Sequence, residues 1–164
     1  MRFVLRFLFA AAVLAAVSSP AAAFQWQGWN AGLRSAETSH RPILVDVYTD
    51  WCGWCKRMDR DVYARDDVGG YLASHFVTVR LNAEGGELVA WQGRNYSART
   101  LASAFGVTGY PTTIFLTPDG ERLVNVPGYV PADRMLLLLR YIGDGHMDRH
   151  EKWEDYVGRA GAAR

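Results

Sequence analysis

Only two cysteines occur in the 164 residues, and they stand three positions apart, at Cys52 and Cys55. That scarcity excludes a multi-disulfide scaffold and a four-thiolate zinc site. Histidine is also rare, with four in the chain, and no H-E-x-x-H run is present, so the metalloprotease motif is missing. Charge of one sign is lacking as well: 18 lysines and arginines face 17 acids. A chain without a basic excess has no electrostatic footprint for nucleic acid or an anionic membrane surface, and both are excluded as primary partners. Past the N-terminus no apolar run approaches the roughly 20 residues of a membrane-spanning helix. Met135 to Leu139 is apolar but far too short. Internal repeats and low-complexity segments are absent.

What is present begins with MRFVLRFLFAAAVLAAVSSPAAAFQW, which reads as a secretory signal. Arg2 and Arg6 supply the positive start, Phe7 to Val17 is uncharged, and Ala21-Ala22-Ala23 offers a small-residue cleavage site. Residues 1–23 are thus expected to be a signal peptide, with an uncleaved anchor as the alternative. Their removal leaves 141 of the 164 residues, carrying 16 basic and 17 acidic side chains. That length suits one domain able to bury a core without a covalent staple. Export would place the cysteines where disulfides persist, in the periplasm.

The apolar pattern predicts a helix over Trp29–His40, ended by Arg41-Pro42. Ile43–Tyr48 is a continuous β-branched and aromatic run, as in a buried strand. A helix over Gly53–Ala64 follows, with Met58, Val62 and Tyr63 inward, then a further helical turn at Tyr71 and Leu72. Phe76–Leu81 reads as a second buried strand. Residues 83–97 lack a clear period and are expected to be an insertion holding one short helical piece. Ala98–Phe105 is helical and Gly106 stops it. Thr112–Leu116 and Arg122–Val126 form a hairpin around Pro118-Asp119-Gly120, and Pro131–Tyr141 is a helix. In the tail, residues 143–164, Trp153, Tyr156 and Val157 can dock a last short helix. Helix-separated strands pair in parallel and the last hairpin is antiparallel, so the expected class is α/β with a mixed central sheet flanked by helices.

The cysteines fall just after the first strand, in DWCGWCK, at the opening of a helix. The first turn of a helix has unpaired N–H groups and partial positive charge, which favour a thiolate. A thiolate is the attacking species in disulfide exchange, and the spacing lets the second thiol resolve a mixed disulfide. Cys52 is assigned as the exposed nucleophile and Cys55 as the resolving thiol. The structural alternative is weak, since closing so short a loop stabilises by only about 2 kcal/mol. A metal clip lacks ligands: His146 and His150, four apart in HMDRHE, are read more simply as part of a solvated amphipathic end. Copper remains an alternative because soft thiolates select Cu(I).

Four segments resemble the thioredoxin family in order: RPILVDVYTDWCGWCKRM, VRLNAE, FGVTGYPTTIFLTPDGE and VPGYVPADRMLLLLRYI. The resemblance covers about Pro42 to Ile142, within an expected domain of residues 24–142. Its most specific part is W-C-G-x-C-K after a buried strand, followed by G-Y-P-T at Gly109–Thr112. Among thioredoxins it is similar to exported bacterial ones with W-C-x-x-C-K, such as those associated with sulfur oxidation and the C-terminal domain of the thiol:disulfide interchange protein. The resemblance implies a thioredoxin fold and a cis-proline at Pro111 that presents the Tyr110 backbone to a client. Asp46 would be the buried acid relaying a proton to Cys55; its plainer reading is a strand residue bonded to backbone. Trp51, Gly53 and Trp54 would complete the client-binding rim, with packing as the alternative for Trp51.

Departures matter too. Gly53-Trp54 stands where thioredoxins have Gly-Pro, and proline alone fixes φ and removes a donor. Arg80 replaces the lysine often found beside the acid, changing hydrogen-bond geometry while keeping charge. For Trp91, Tyr96 and Trp153 plain packing is expected. The resulting expectation is a periplasmic, monomeric thiol:disulfide oxidoreductase. It would use the Cys52–Cys55 disulfide with no other cofactor or metal, reduce oxidised client proteins or small thiols, and be recharged by a membrane-embedded donor. The alternatives are an oxidase or isomerase using the same residues, or a non-enzymatic copper-binding or assembly factor.

Overall fold

The computed structural model describes residues 24–162. The expected signal peptide, residues 1–23, lies outside them. Four hydrophobic strand runs and their connections build one five-stranded sheet. Its strands are β1 (Gln27–Gly28), β2 (Ile43–Tyr48), β3 (Val77–Asn82), β6 (Thr112–Leu116) and β7 (Arg122–Pro127), in the order β1-β3-β2-β6-β7. β1, β3 and β2 are parallel, β6 pairs antiparallel with β2, and β7 pairs antiparallel with β6. The mixed sheet follows from the connections, since parallel neighbours need crossovers and a tight turn gives an antiparallel pair. β1 was not expected: two residues carry no strand period.

Strand alternation divides the core in two. Ile43, Val45 and Val47 of β2 face one side with Val77, Val79 and Leu81 of β3. There they meet α1 (Trp29–Ser39) and α4 (Ala98–Ala104), with Trp29 and Phe105 fully buried. α1 lies so close that a Cβ on Gly32 would stand 2.1 Å from Val79 Cγ2. Leu44 and Phe115 face the other side, packed by Met58 of α2 (Gly53–Met58), α3 (Asp66–His75) and α5 (Ala132–Gly143).

The structure corrects several boundaries. Gly53–Ala64 is not one helix: α2 passes at Asp59 into a π-helical turn, Asp59–Tyr63, closed by the Ala64 N–H donating to the Asp59 carbonyl five residues back. The wider turn lets the consecutive residues Val62 and Tyr63 both be buried. The helix expected only around Tyr71 is the ten-residue α3.

Residues 83–97 contain no helical piece but a hairpin, β4 (Leu88–Trp91) and β5 (Arg94–Ser97). Gln92 and Gly93 both have positive φ, 47° and 73°, the two-residue turn that suits a right-twisted hairpin. Asn30 of α1 clamps its edge, donating to the Leu88 carbonyl and accepting from Ala90 N–H, each at 2.9 Å. Trp91 and Tyr96 pack against the first core, as expected.

In the tail, α6 (Trp153–Ala162) docks through Trp153 and Tyr156 onto Tyr141 of α5, with ring centroids 5.2 and 5.3 Å apart. His146 is half-buried, stacked on Tyr141 and bonded to Glu151 at 2.7 Å, so this histidine is not on a solvated helix face. Residues 144–150 are turns, because Gly145 at φ 73° breaks the chain away from α5.

Candidate active site

β2 delivers the chain to the site. After Tyr48, Cys52 N–H donates back to the Thr49 carbonyl at 3.1 Å, a turn that sets Cys52 at the N-cap of α2. Its sulfur accepts the Cys55 N–H at 3.1 Å, so a donor left unpaired at the helix start points at Cys52. Cys52 and Cys55 are joined in a disulfide, with Cα atoms 5.3 Å apart. In this oxidised form the two are almost equally buried, 4% and 3% exposed, so the expected exposure of Cys52 is not seen in the residue as a whole. Its place in the tight turn closed by the Thr49 carbonyl, bonded to Cys55, accounts for this.

Those rings form the rim. Trp51 and Trp54 are 67% and 56% exposed, among the few large apolar side chains left to solvent, so Trp51 is not a core residue. Trp51 meets Tyr110 edge to face at 6.1 Å and donates its indole N–H to Glu84 at 2.9 Å. Tyr110 precedes Pro111 through a cis peptide bond, and the Pro111 carbonyl accepts the Gly128 N–H at 2.8 Å. That bond holds the next residue, Tyr129, near the site, where its ring lies 5.6 Å from Trp54. Arg57 lies over both rings, 5.2 Å from Trp54 and 5.7 Å from Tyr129. Gly53 is exposed, with open space where a Cβ would be. The structure therefore brings Trp51 against Tyr110, the residue before Pro111, and Trp54 against Tyr129 and Arg57. Sequence reasoning missed Tyr129 and Arg57; only the spacing of Arg57 from Trp54, one helical turn, offered a signal.

Asp46 lies on the same face of β2 as Leu44, the face packed by Met58 one turn after Cys55. It is 1% exposed, and neither carboxylate oxygen has a hydrogen-bond partner among the described residues. The reading of Asp46 as a strand residue bonded to backbone is thereby overturned. Arg80 is its register partner on β3, with Nη2 3.4 Å from Oδ2, near enough to attract but not aligned as a hydrogen bond. Arg80 instead bonds Asp59 at the start of the π-helical turn. Burial pushes the Asp46 carboxyl up to about 7, opposed by the Arg80 charge, aided by that of Asp59, and opposed least by the long, poorly aligned Arg80 N–H contact. A carboxyl poised there can hold or release a proton near neutral pH.

The model of the family described as Thioredoxin-like domain matches residues 29–143. The chain belongs to the thioredoxin-like family. The match includes both cysteines, Asp46, Arg80 and Pro111. This thioredoxin-like chain is 34% identical over 109 residues, 66% of its length, to the thiol:disulfide interchange protein DsbD of Ralstonia nicotianae. It spans only 16% of that relative. It is 25% identical over 112 residues to the disulfide bond reductase DsbH of Chlamydia pneumoniae, covering 68% of this chain and 66% of that one. A thioredoxin-fold protein from Helicobacter pylori superposes with a TM-score of 0.67 at 20% identity, over 77% of this chain and 88% of that one. Both cysteines of the exchange pair are in place, and these relatives are a thiol:disulfide interchange protein and a disulfide bond reductase.

Among the described residues no group of three or more His, Cys, Asp or Glu side chains is placed to hold a metal ion. Nor is any helix there long and apolar enough to cross a membrane.

Proposed function

We propose that this thioredoxin-like protein reduces protein disulfides in the periplasm, with Cys52 as nucleophile, Cys55 as resolving thiol and Asp46 as the proton acceptor for Cys55. The Cys52 thiolate attacks one sulfur of the client disulfide, and the other client sulfur leaves as a thiolate. Asp46 takes the Cys55 proton, and the resulting thiolate attacks Cys52 Sγ, displacing the second client thiolate. The client gains two electrons, both client thiolates take protons from water, and the Cys52–Cys55 disulfide forms. A dithiol donor at the membrane would restore the pair by the same exchange in reverse.

The observation that carries this reading is the Cys52–Cys55 disulfide at a helix start, following a strand that buries Asp46, a carboxylate with no hydrogen-bond partner among the described residues. The Chlamydia relative is a disulfide bond reductase, which supports the direction. The secretory character of residues 1–23 supports the compartment. Trp51, Gly53, Trp54, Tyr110 and Pro111 would receive the client as an extended segment across the disulfide, aromatic rings on either side. Client proteins and small disulfides are the substrates this rim would take, one copy of the chain acting alone.

Cys55→Ser should leave Cys52 unable to be released, so mixed disulfides with clients accumulate through Cys52 in cells. Absence of such adducts, with tight Cu(I) binding by the wild type, would sink the reductase in favour of a copper-holding factor. The reduction potential of the pair, equilibrated with glutathione, should be about −200 mV or lower, as in reducing members of the family. A value close to about −120 mV would mark an oxidase instead.

A further inference from the structure

The buried site reaches beyond the segment that matches the family. Residues 24–28 precede that match, yet they run along β3 beside Arg80. Thr78 Oγ1 donates to the Gln25 carbonyl at 2.7 Å, and Gln27 and Gly28 pair with Val79 and Arg80. This lays the Trp26 ring over the Arg80 guanidinium, 4.8 Å from its centroid, while Tyr48 of β2 lies 5.0 Å away. Trp26 is itself braced edge to face by Tyr63 and Phe24, both at 5.1 Å. Two rings therefore hold the guanidinium while its Nη2–H donates a hydrogen bond to Asp59 Oδ1.

The result is an unusual buried pair. Arginine normally meets a carboxylate with two parallel N–H bonds, and that pose would hold Asp46 ionised. Here Arg80 stays 3.4 Å from one Asp46 oxygen without a hydrogen bond, and its own buried Nε has no partner among the described residues. We propose that Trp26, with Asp59, is a positioning residue for the exchange reaction: it holds Arg80 turned away from a forked pose on Asp46. Asp46 then keeps its affinity for the Cys55 proton. This rests on the reading of Asp46 as the proton acceptor.

The groups facing Asp46 leave few other controls. β3 contributes Arg80, the π-helical turn Asp59 and Tyr63, and β2 itself Tyr48. β6 contributes Thr113, its register partner, which does not titrate. Trp26 carries no charge, so its effect on Asp46 must pass through Arg80 or through water it excludes. A double substitution separates those routes.

The test follows the Asp46 carboxyl directly by carbon NMR in the full chain with its disulfide intact, and the resolving step by stopped-flow in the reduced protein. Trp26→Leu should lower the Asp46 midpoint by about one pH unit, as an approaching opposite charge does. The acid limb of the resolving step should move with it. Trp26→Phe, which keeps a ring over Arg80, should restore most of the shift, and Asp59→Asn should act in the same direction as Trp26→Leu. In an Arg80→Gln background Trp26→Leu should shift nothing further. An unmoved midpoint in Trp26→Leu would overturn the proposal, as would an equal Trp26→Leu shift without Arg80. If Asp46→Asn leaves the pH profile of the resolving step unchanged, the proton-acceptor reading fails, whatever Trp26 does to the Asp46 midpoint.

Discussion

Asp46 is the only buried carboxylate among the described residues, and its neighbours on β2, Ile43, Leu44, Val45 and Val47, are fully buried and apolar. An ionised carboxylate without hydrogen bonds is costly in such a place, and the carboxyl is pushed from an ordinary 3.8 up to about 7. The native state therefore binds the proton more tightly than the unfolded chain does. The stability this contributes is fully present below pH ~3.8 and is lost as pH rises through about 7. A shift of that size corresponds to something on the order of 4 kcal/mol at its upper limit. Asp46→Asn, which never ionises, should be more stable than the wild type at pH 8 by about 1–4 kcal/mol. The difference should shrink steadily toward pH 4. Urea unfolding of both proteins across that range checks it, and a pH-independent difference would show that Asp46 is not neutral in the fold near pH 5.

At the scale of elements, what the sequence made legible was what hydrophobic period controls. β2 reads as a run buried on both faces, β3 places an apolar residue at every second position, and β6 ends in Ile-Phe-Leu; α5 has a clear helical face, and Gly106 at φ 76° ends α4 where glycine was expected to. The cysteine pair stands at a strand-to-helix junction because strand and helix were both visible. The hairpin β4–β5 was not legible, since its turn is Gln92-Gly93 and only Val89 in β4 is buried, so no alternation shows. Nor was the π-helical turn, which depends on burying Val62 and Tyr63 together, or the Trp26–Arg80–Asp59 arrangement, whose members are distant in sequence. Gly32 was legible only as a weak helix residue. Within an exposed helix an alanine there would gain about 1 kcal/mol. Here its Cβ would meet Val79 Cγ2 at 2.1 Å, and a β-branched side chain in a packed sheet has little freedom to move. Overpacking of this kind costs about 1–3 kcal/mol, so Gly32→Ala should come out destabilising by about 1–2 kcal/mol. A gain in Tm would show instead that α1 can lift off the sheet without loss.

Across the whole molecule, the two flanks of the family segment have different attachments. The lead-in joins the sheet at β1 and covers Arg80; the tail packs on α5, in the second core, through α6. Tyr141 is the tail's anchor: Trp153, Tyr156 and His146 surround its ring, and its hydroxyl donates to the Glu151 carbonyl. A mostly apolar cavity of about 280 Å³ lies beside them, walled by Val124, Val126, Leu138 and Trp153. Deleting residues 144–164 would remove the Met147 and Trp153 wall of that pocket and strip two large rings from Tyr141. Loss of such aromatic contacts should lower stability by roughly 3–5 kcal/mol. Among the described residues, the hydrogen bonds, ion pairs and ring contacts of Cys52, Cys55, Asp46 and the aromatic rim include no tail residue. Chain 24–143 should therefore bind an apolar dye and unfold at lower urea, yet reduce a model disulfide at the full-length rate while folded. A rate that falls several-fold below the urea transition would show that the tail supports the exchange site itself and is more than a cover for α5.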